Sequence, residues 1–426
     1  MTLDITVPDQ RAEGGAMPAA SLPGLFVCCV HGLDARRVEA THMPFLTRLR
    51  ETCPNTSIHT LPSSELLTTL ITGVYPNEHG VWQVRLKPEG RVRRAPGLLD
   101  RLPDSVSTTL QGFRQIVEPT FDLALVPARR RRDFEMHRFK YFRRERDHSV
   151  VERIGSYPSL FGILGGRSRF HFVKSFGALR KMESRLPSGG PLLEFLEVYA
   201  LDLFQHWHLD QPKAMGRAHA AIDRFLAALH ERCRRQGCTL MVVSDHGQER
   251  VVGTIPLQRE LKRMKVPRTD YAFFLEVVQA RFWFRTAEAR RRVTALLRLL
   301  PHTRTFLHYE LERYHVPHAD DSYGEVHVVA DPGWIFFPHD FYHPLANFFM
   351  GLTEDTQRRR LFASRHRGNH AYLPEHPSER GFAILADEQF HATRPEIELI
   401  DIAPTVLTLL GEARPGTMRG NVVFVR

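Results

Sequence analysis

The sequence is poor in cysteine and has no long apolar run. Five cysteines among 426 residues are too few, and odd in number, for a disulfide framework. Cys28 and Cys29 adjoin within an expected strand, so they face opposite sides of it as buried apolar residues. Cys233 and Cys238 have no second Cys pair to complete a zinc ribbon. A reducing cytoplasm fits this usage. No apolar run reaches the roughly 18 residues needed to cross a bilayer, so no membrane is expected among the partners. The first 22 residues are rich in Asp, Gln, Arg, Glu, Gly and Pro. They lack the apolar centre of a signal peptide and are expected to form a loose tail.

What is present is an ordinary globular composition, 42% hydrophobic and 25% charged, with a net charge of +10. The positive balance favours an anionic small molecule as substrate without choosing one. Part of it is local. Residues 129–146 hold nine Lys or Arg, interleaved with Phe134, Phe139, Tyr141 and Phe142. Nucleic-acid binding by charge and stacking is one reading. The plainer and favoured one is a solvated basic segment with aromatics packed inward.

Continuous apolar runs alternate with amphipathic segments. Leu25 to Val30 reads as a buried strand, and Pro44 to Leu49 and Leu66 to Ile71 as helices. Phe195 to Leu201 reads as a strand, Pro212 to Arg235 as a long helix, and Thr239 to Val243 as a strand. Gly381 to Leu385 and Ile402 to Leu410 give a last strand and helix. This rhythm predicts an α/β fold with a doubly wound, mostly parallel sheet. After about residue 256 the pattern changes. Tyr271 to Phe284 is expected as one long strand, Thr286 to Leu300 as a basic helix, and Glu325 to Ala330 and Trp334 to Phe337 as strands. The expected organisation is therefore a tail over 1–22, a core over 23–255 and 366–426, and an inserted α+β subdomain over 256–365.

Candidate chemistry falls at strand ends and turns, where α/β sheets bind ligands. His31 follows the first strand. Ser63 precedes a helix. Asp202 and His206 follow the third strand, Asp245 and His246 the fourth, and His370 lies in Arg367-Gly-Asn-His-Ala371. Two Asp, four His and a hydroxyl suffice for two ions of borderline softness with Ser63 between them. Each residue also has a plainer reading. Asp245 could cap a helix, Asp202 and His206 could be an i,i+4 pair, His370 could be solvated, Ser63 could be only a helix cap, and His31 could be structural. His79, His208, Arg367 and Asn77 could meet substrate, with structural roles the plainer reading.

The chain resembles the alkaline phosphatase superfamily, on the side of the type I phosphodiesterases and nucleotide pyrophosphatases. The resemblance runs from about Gly24 to the end. It is carried by Thr68-Thr-Leu-Ile-Thr-Gly-Val-Tyr-Pro-Asn-Glu-His-Gly80, Val198-Tyr-Ala-Leu-Asp-Leu-Phe-Gln-His206, Val243-Ser-Asp-His-Gly247, Gly368-Asn-His370 and Leu399-Ile-Asp-Ile-Ala-Pro-Thr405. The insert, with Gln279-Ala-Arg-Phe-Trp-Phe284 and Tyr323-Gly-Glu325, is similar to one in uncharacterised members. The resemblance implies an alkaline phosphatase-like fold. It also implies metal-dependent hydrolysis of a phosphodiester or phosphomonoester, and two divalent ions, zinc first and manganese as the alternative. Asp202, His206 and His370 would hold one ion; Asp245 and His246 would hold the other. Ser63 would be the nucleophile, with Ser64 the alternative if the register slips by one.

The chain departs from the family pattern at the first strand, where relatives place a metal-binding Asp and this chain has His31. Histidine could bind zinc through nitrogen, Asp34 could swing in, or the second site could be weak or empty. The last outcome would leave a repurposed binding or accessory protein, and another phosphoryl- or phosphonate-processing activity of the same superfamily is the further alternative the resemblance implies. Ala371 stands where relatives commonly have Gly. Glu65-Leu66 replaces the Pro-Asn pair of many nucleotide pyrophosphatases. Ser63-Ser-Glu-Leu-Leu67 also lacks the Cys/Ser-x-Pro-x-Arg context of sulfatases, which sets that activity aside.

Overall fold

A computed structural model describes residues 21–63, 65–86, 134–136, 152–185, 192–342, 364 and 366–426, with isolated positions between 102 and 110. The expected tail lies outside the described residues up to residue 20. Leu22 is buried and donates its N–H to Leu409 O.

The centre is a seven-stranded sheet. Its strands in chain order are β1 (Leu25–Val30), β2 (Asn55–His59), β3 (Ser168–Val173), β4 (Leu193–Val198) and β5 (Thr239–Ser244). Two more come late in the chain, after a second sheet whose strands are β6 (Tyr271–Leu275), β7 (Gln279–Phe284), β8 (Thr303–Leu307) and β9 (Val326–Ala330). These late strands are β10 (Arg380–Leu385) and β11 (Glu396–Glu398). Across the central sheet the order is β11-β2-β10-β5-β1-β4-β3. All pairings are parallel except those of β10, which runs against both β2 and β5.

Helices cover both faces, as expected for a doubly wound sheet. Phe26, Cys28 and Val30 pack with Leu46 and Leu49 of α1 (Pro44–Thr52) and with Ile222, Phe225 and Leu226. The last three belong to α4 (Pro212–Gln236); between α1 and α4 lie α2 (Leu67–Thr72) and α3 (Ala200–His208). Val27 and Cys29 face the other way, toward Leu70 and Ile71 of α2. A later helix, Ile402–Leu409, adds Ile402 and Val406 to that layer. A strand buried on both faces is apolar at every position, which is why β1 reads as a continuous run. All five cysteines are free. Among the described residues no helix is long and apolar enough to cross a membrane.

The second sheet is antiparallel, in the order β6-β7-β9-β8. It lies within the stretch expected as an insert. The helix Ala287–Leu299 packs Ala289, Val293 and Leu297 into its core. Here two expectations are corrected. Tyr271 to Phe284 is a hairpin, turning through Glu276, whose N–H reaches Gln279 O at 2.8 Å. Both halves are buried and rich in aromatic residues, so periodicity could not show the turn. The strand expected over Phe195 to Leu201 ends at Val198, and the helix α3 begins at Ala200. Asp202 and His206 therefore lie one turn apart on a helix. Apolar Leu201 belongs to the core packing in either conformation.

Candidate metal centre

Three neighbouring parallel strands, β5, β1 and β4, deliver their carboxyl ends to one edge. Cys29 pairs with Val243 and Val30 with Val198. One step further along that register come His31, Asp245 and Tyr199. Gly32 follows His31 at φ +73°, and a Cβ there would meet Asp202 at 3.2 Å. This glycine lets β1 end directly against the first turn of α3, in a left-handed conformation that side chains resist.

Asp202 is buried, and its two oxygens face different histidines. Oδ2 stands 3.6 Å from His206 Nε2, and Oδ1 stands 3.6 Å from His370 Nε2. The His246 ring stacks on His370 at 3.8 Å. Its Nδ1 donates to Gly247 O at 2.7 Å, and His206 Nδ1 donates to Gly368 O at 3.0 Å. A carbonyl can only accept, so in both rings Nδ1 carries a proton, and in the neutral ring Nε2 is the nitrogen with the lone pair. That is how metal-binding histidines are usually fixed. Burial would raise the Asp202 carboxyl, but His206 and His370 beside it hold it well below the usual carboxylate range.

The other cluster is centred on His31, which is also buried. Its Nδ1 lies 2.6 Å from Asp245 Oδ2, and its Nε2 lies 3.0 Å from Glu197 Oε1. Tyr199 stacks on the ring at 4.1 Å. His246 Nε2 is 3.4 Å from Asp245 Oδ2. Burial disfavours a charged ring, but Asp245 outweighs it and holds His31 well above the ordinary histidine range. Burial likewise works against the Asp245 carboxylate, and His246 and His31 reverse that, keeping it below its ordinary value.

Two groups among the described residues could hold an ion: Asp202, His246 and His370, and His31, Asp245 and His246. His246 is common to both. His206 belongs to neither triplet, although its Nε2 faces Asp202. Asp34, the alternative ligand, gives both carboxylate oxygens to Arg36, with contacts of 2.7–3.1 Å.

Spacing tests the fit of a metal. Two ligands on one zinc, each bonded at about 2.0–2.1 Å, stand about 3.3 Å apart at a tetrahedral angle. The Asp202 contacts with His206 and His370, at 3.6 Å, are close to that. Asp202 and its histidines therefore fit an ion. The 2.6 Å between His31 and Asp245 is a hydrogen-bond distance, too short for two ligands of one ion.

Ser63 is buried beside this edge and does not cap α2. Its Oγ accepts the Glu65 N–H at 2.9 Å and lies 3.2 Å from both Glu65 O and Trp82 O. The helix is served by Glu65, whose Oε1 accepts the Thr68 N–H and hydroxyl. Gln279 Nε2 donates to Pro62 O and to Ala371 O, each at 2.8 Å. It thereby ties the residue before Ser63 to the residue after His370. Ser64 lies outside the described residues, as does the 129–146 segment except Phe134–Met136. Phe134 packs inward on Phe274 and Trp283. His79 is structural. It bonds Thr69 Oγ1 and the Val81 N–H, and burial lowers it to about 3.

Three residues of the site carried no sequence signal, Glu197, Gln248 and Glu379, and Tyr199 stood in the Val198–His206 motif without an assigned role. Gln248 Nε2 donates to Asp202 Oδ1. Glu379 Oε2 accepts the N–H of Ala371 at 2.9 Å, where the backbone stands at φ +69°.

No curated protein matches the chain by sequence. The type I phosphodiesterase / nucleotide pyrophosphatase family model matches residues 140–348. The chain is similar to the solved structure of murine ectonucleotide pyrophosphatase/phosphodiesterase 5, an inactive variant in complex with AMP. The two are 15% identical, covering 94% of this chain and 97% of that one, with a TM-score of 0.61. The human counterpart is 14% identical over the same shares, with a TM-score of 0.59. At these identities the likeness speaks for the fold. With the family model matched alongside it, the chain is similar in fold to the alkaline phosphatase-like superfamily.

Proposed function

We propose that the chain is a metal-dependent hydrolase of phosphate esters, acting on a small anionic phosphodiester or phosphomonoester with Ser63 as nucleophile. The observation that carries this reading is the set of imidazoles around Asp202, two of them with the far nitrogen fixed by a carbonyl. Asp202, His206 and His370 would hold an ion, with His246 beside them. A divalent ion held there supplies positive charge against the phosphoryl oxygens. Asp202 and Gln248 keep the ligand cluster in register. Ser63 Oγ forms the bond to phosphorus while the ester oxygen leaves, and the hydroxyl proton passes to solvent. Water then cleaves the Oγ–P bond and regenerates the serine. The net charge of +10 supports an anionic substrate.

The test is turnover of a generic aryl phosphodiester and an aryl phosphomonoester by metal-loaded protein. Ser63→Ala is expected to lower kcat by roughly 10³-fold or more while metal content stays the same. Equal rates for both proteins on both substrates would remove the hydrolase reading. A second reading, a binding protein that keeps the fold without turnover, is favoured by one observation, the His31–Asp245 contact. Retained binding of a phosphate ester with no turnover would select it.

A further inference from the structure

We infer that this chain binds one divalent ion, through Asp202 and the histidines around it, and that the His31 side chain fills the place of a second ion. The inference rests on the metal-site reading above and concerns its stoichiometry.

The first argument is distance. At 2.6 Å, His31 Nδ1 and Asp245 Oδ2 are hydrogen-bonded neighbours. Two ligands of one zinc at that separation would close the angle at the metal well below tetrahedral. The second argument is direction. A histidine that binds metal turns one nitrogen to the ion and the other to a supporting acceptor. His31 turns Nδ1 to Asp245 Oδ2, and its Nε2 lies between the Cys29 sulfur, at 3.9 Å, and Glu197 Oε1, an ion-pair contact of 3.0 Å without hydrogen-bond geometry. Nδ1, the nitrogen on the Asp245 side, is therefore not left for an ion.

The third argument is the setting. The ring is 2% exposed, stacked on Tyr199, and has the Cys29 sulfur 3.9 Å from Nε2. Turning it toward an ion would strip Glu197 and Asp245 of their shared neighbour. Both carboxylates are buried, where losing a partner is costly. The fourth argument is the missing substitute. Asp34 could have supplied a carboxylate from the same turn, but Arg36 holds both its oxygens. Glu197, paired in register with Cys29, is a buried acid whose ion-pair neighbour is His31, two residues beyond Cys29 along the chain.

The experiment strips the full chain of metal, reloads it with Mn²⁺, and measures bound manganese together with its electron paramagnetic resonance spectrum. One ion per chain with the spectrum of an isolated ion is expected. His31→Asp is expected to take up a second ion and to show a spin-coupled pair. Two ions with a coupled spectrum in the unmodified chain would overturn the inference and leave the metal-site reading standing. No bound manganese would overturn both. A folded His31→Asp that still holds one ion would also count against it. The measurement on the unmodified chain does not depend on how that variant folds.

Discussion

Gln248 reaches across to α3 and clamps Asp202 at two points. Its Nε2 lies 2.5 Å from the Asp202 carboxylate and 3.1 Å from its main-chain oxygen. Acceptors that hold a ligand in place typically contribute 10–100-fold to metal affinity, and donors to a ligand carboxylate act by the same logic. Gln248→Ala is therefore expected to weaken divalent-metal binding by roughly 10–100-fold. Isothermal titration would measure it. An unchanged affinity would show that Asp202 is oriented without this clamp.

Metal removal should be visible as lost stability. A ligand bound only to the folded state at about 100 times its Kd adds about 2.7 kcal/mol. Chelation of the loaded protein is expected to lower Tm, and returning Zn²⁺ or Mn²⁺ to restore it. In Asp202→Ala the same additions should leave Tm where it was. A metal-dependent Tm in that variant would place the ion elsewhere.

Glu379 sets a pH dependence of the fold. Burial pushes its carboxyl from 4.5 up to about 8, against the lowering effect of the Ala371 and Tyr372 N–H groups. A carboxyl raised in the folded state favours folding while it is protonated. Its contribution is full below about 4.5 and is lost as pH rises toward 8. Chemical denaturation should show stability falling across that window. Glu379→Gln, which keeps an acceptor for the Ala371 N–H, should flatten the fall. The same slope in both proteins would assign it to other groups.

The hairpin of the second sheet depends on one buried ion pair. Arg281 is fully buried. It pairs with Glu276 across the turn at 2.5 Å and donates to Val84 O at 2.7 Å. Removing one partner of a buried pair leaves an uncompensated charge and costs about 3–5 kcal/mol. Glu276→Ala is expected to destabilise the protein by that amount in urea titration. Replacing Glu276 and Arg281 together by apolar residues should cost less. A single-variant loss below about 1 kcal/mol would mean that the remaining partners, Val84 O and the Trp82 ring among them, suffice for the guanidinium.

Much of this protein was legible before its structure. The run Leu25 to Val30 has no polar residue, and such a run is a strand buried on both faces. Asp245-His246 follows another, and parallel strands place such ends together. What misled was pattern without direction. Leu201 extended a strand on paper because an apolar residue suits both a strand and the first turn of a helix. Tyr271 to Phe284 looked continuous because both arms of the hairpin are buried. Ser63 looked like a helix cap, but Glu65 takes that part, a choice made by side-chain rotation. Glu197 gave no signal because an acid in a strand normally faces solvent.

The sequence by itself determined the α/β class and the presence of His31, Asp202, Asp245 and His246 at the ends of apolar runs, since residue type and period are local properties. Tertiary structure decided what His31 does. Its two nitrogens meet Asp245 from one neighbouring strand and Glu197 from the other. Those contacts follow from the order β5-β1-β4 and from the register across it. Hydrogen bonds between distant segments fix that register, and no window of the chain contains all three residues.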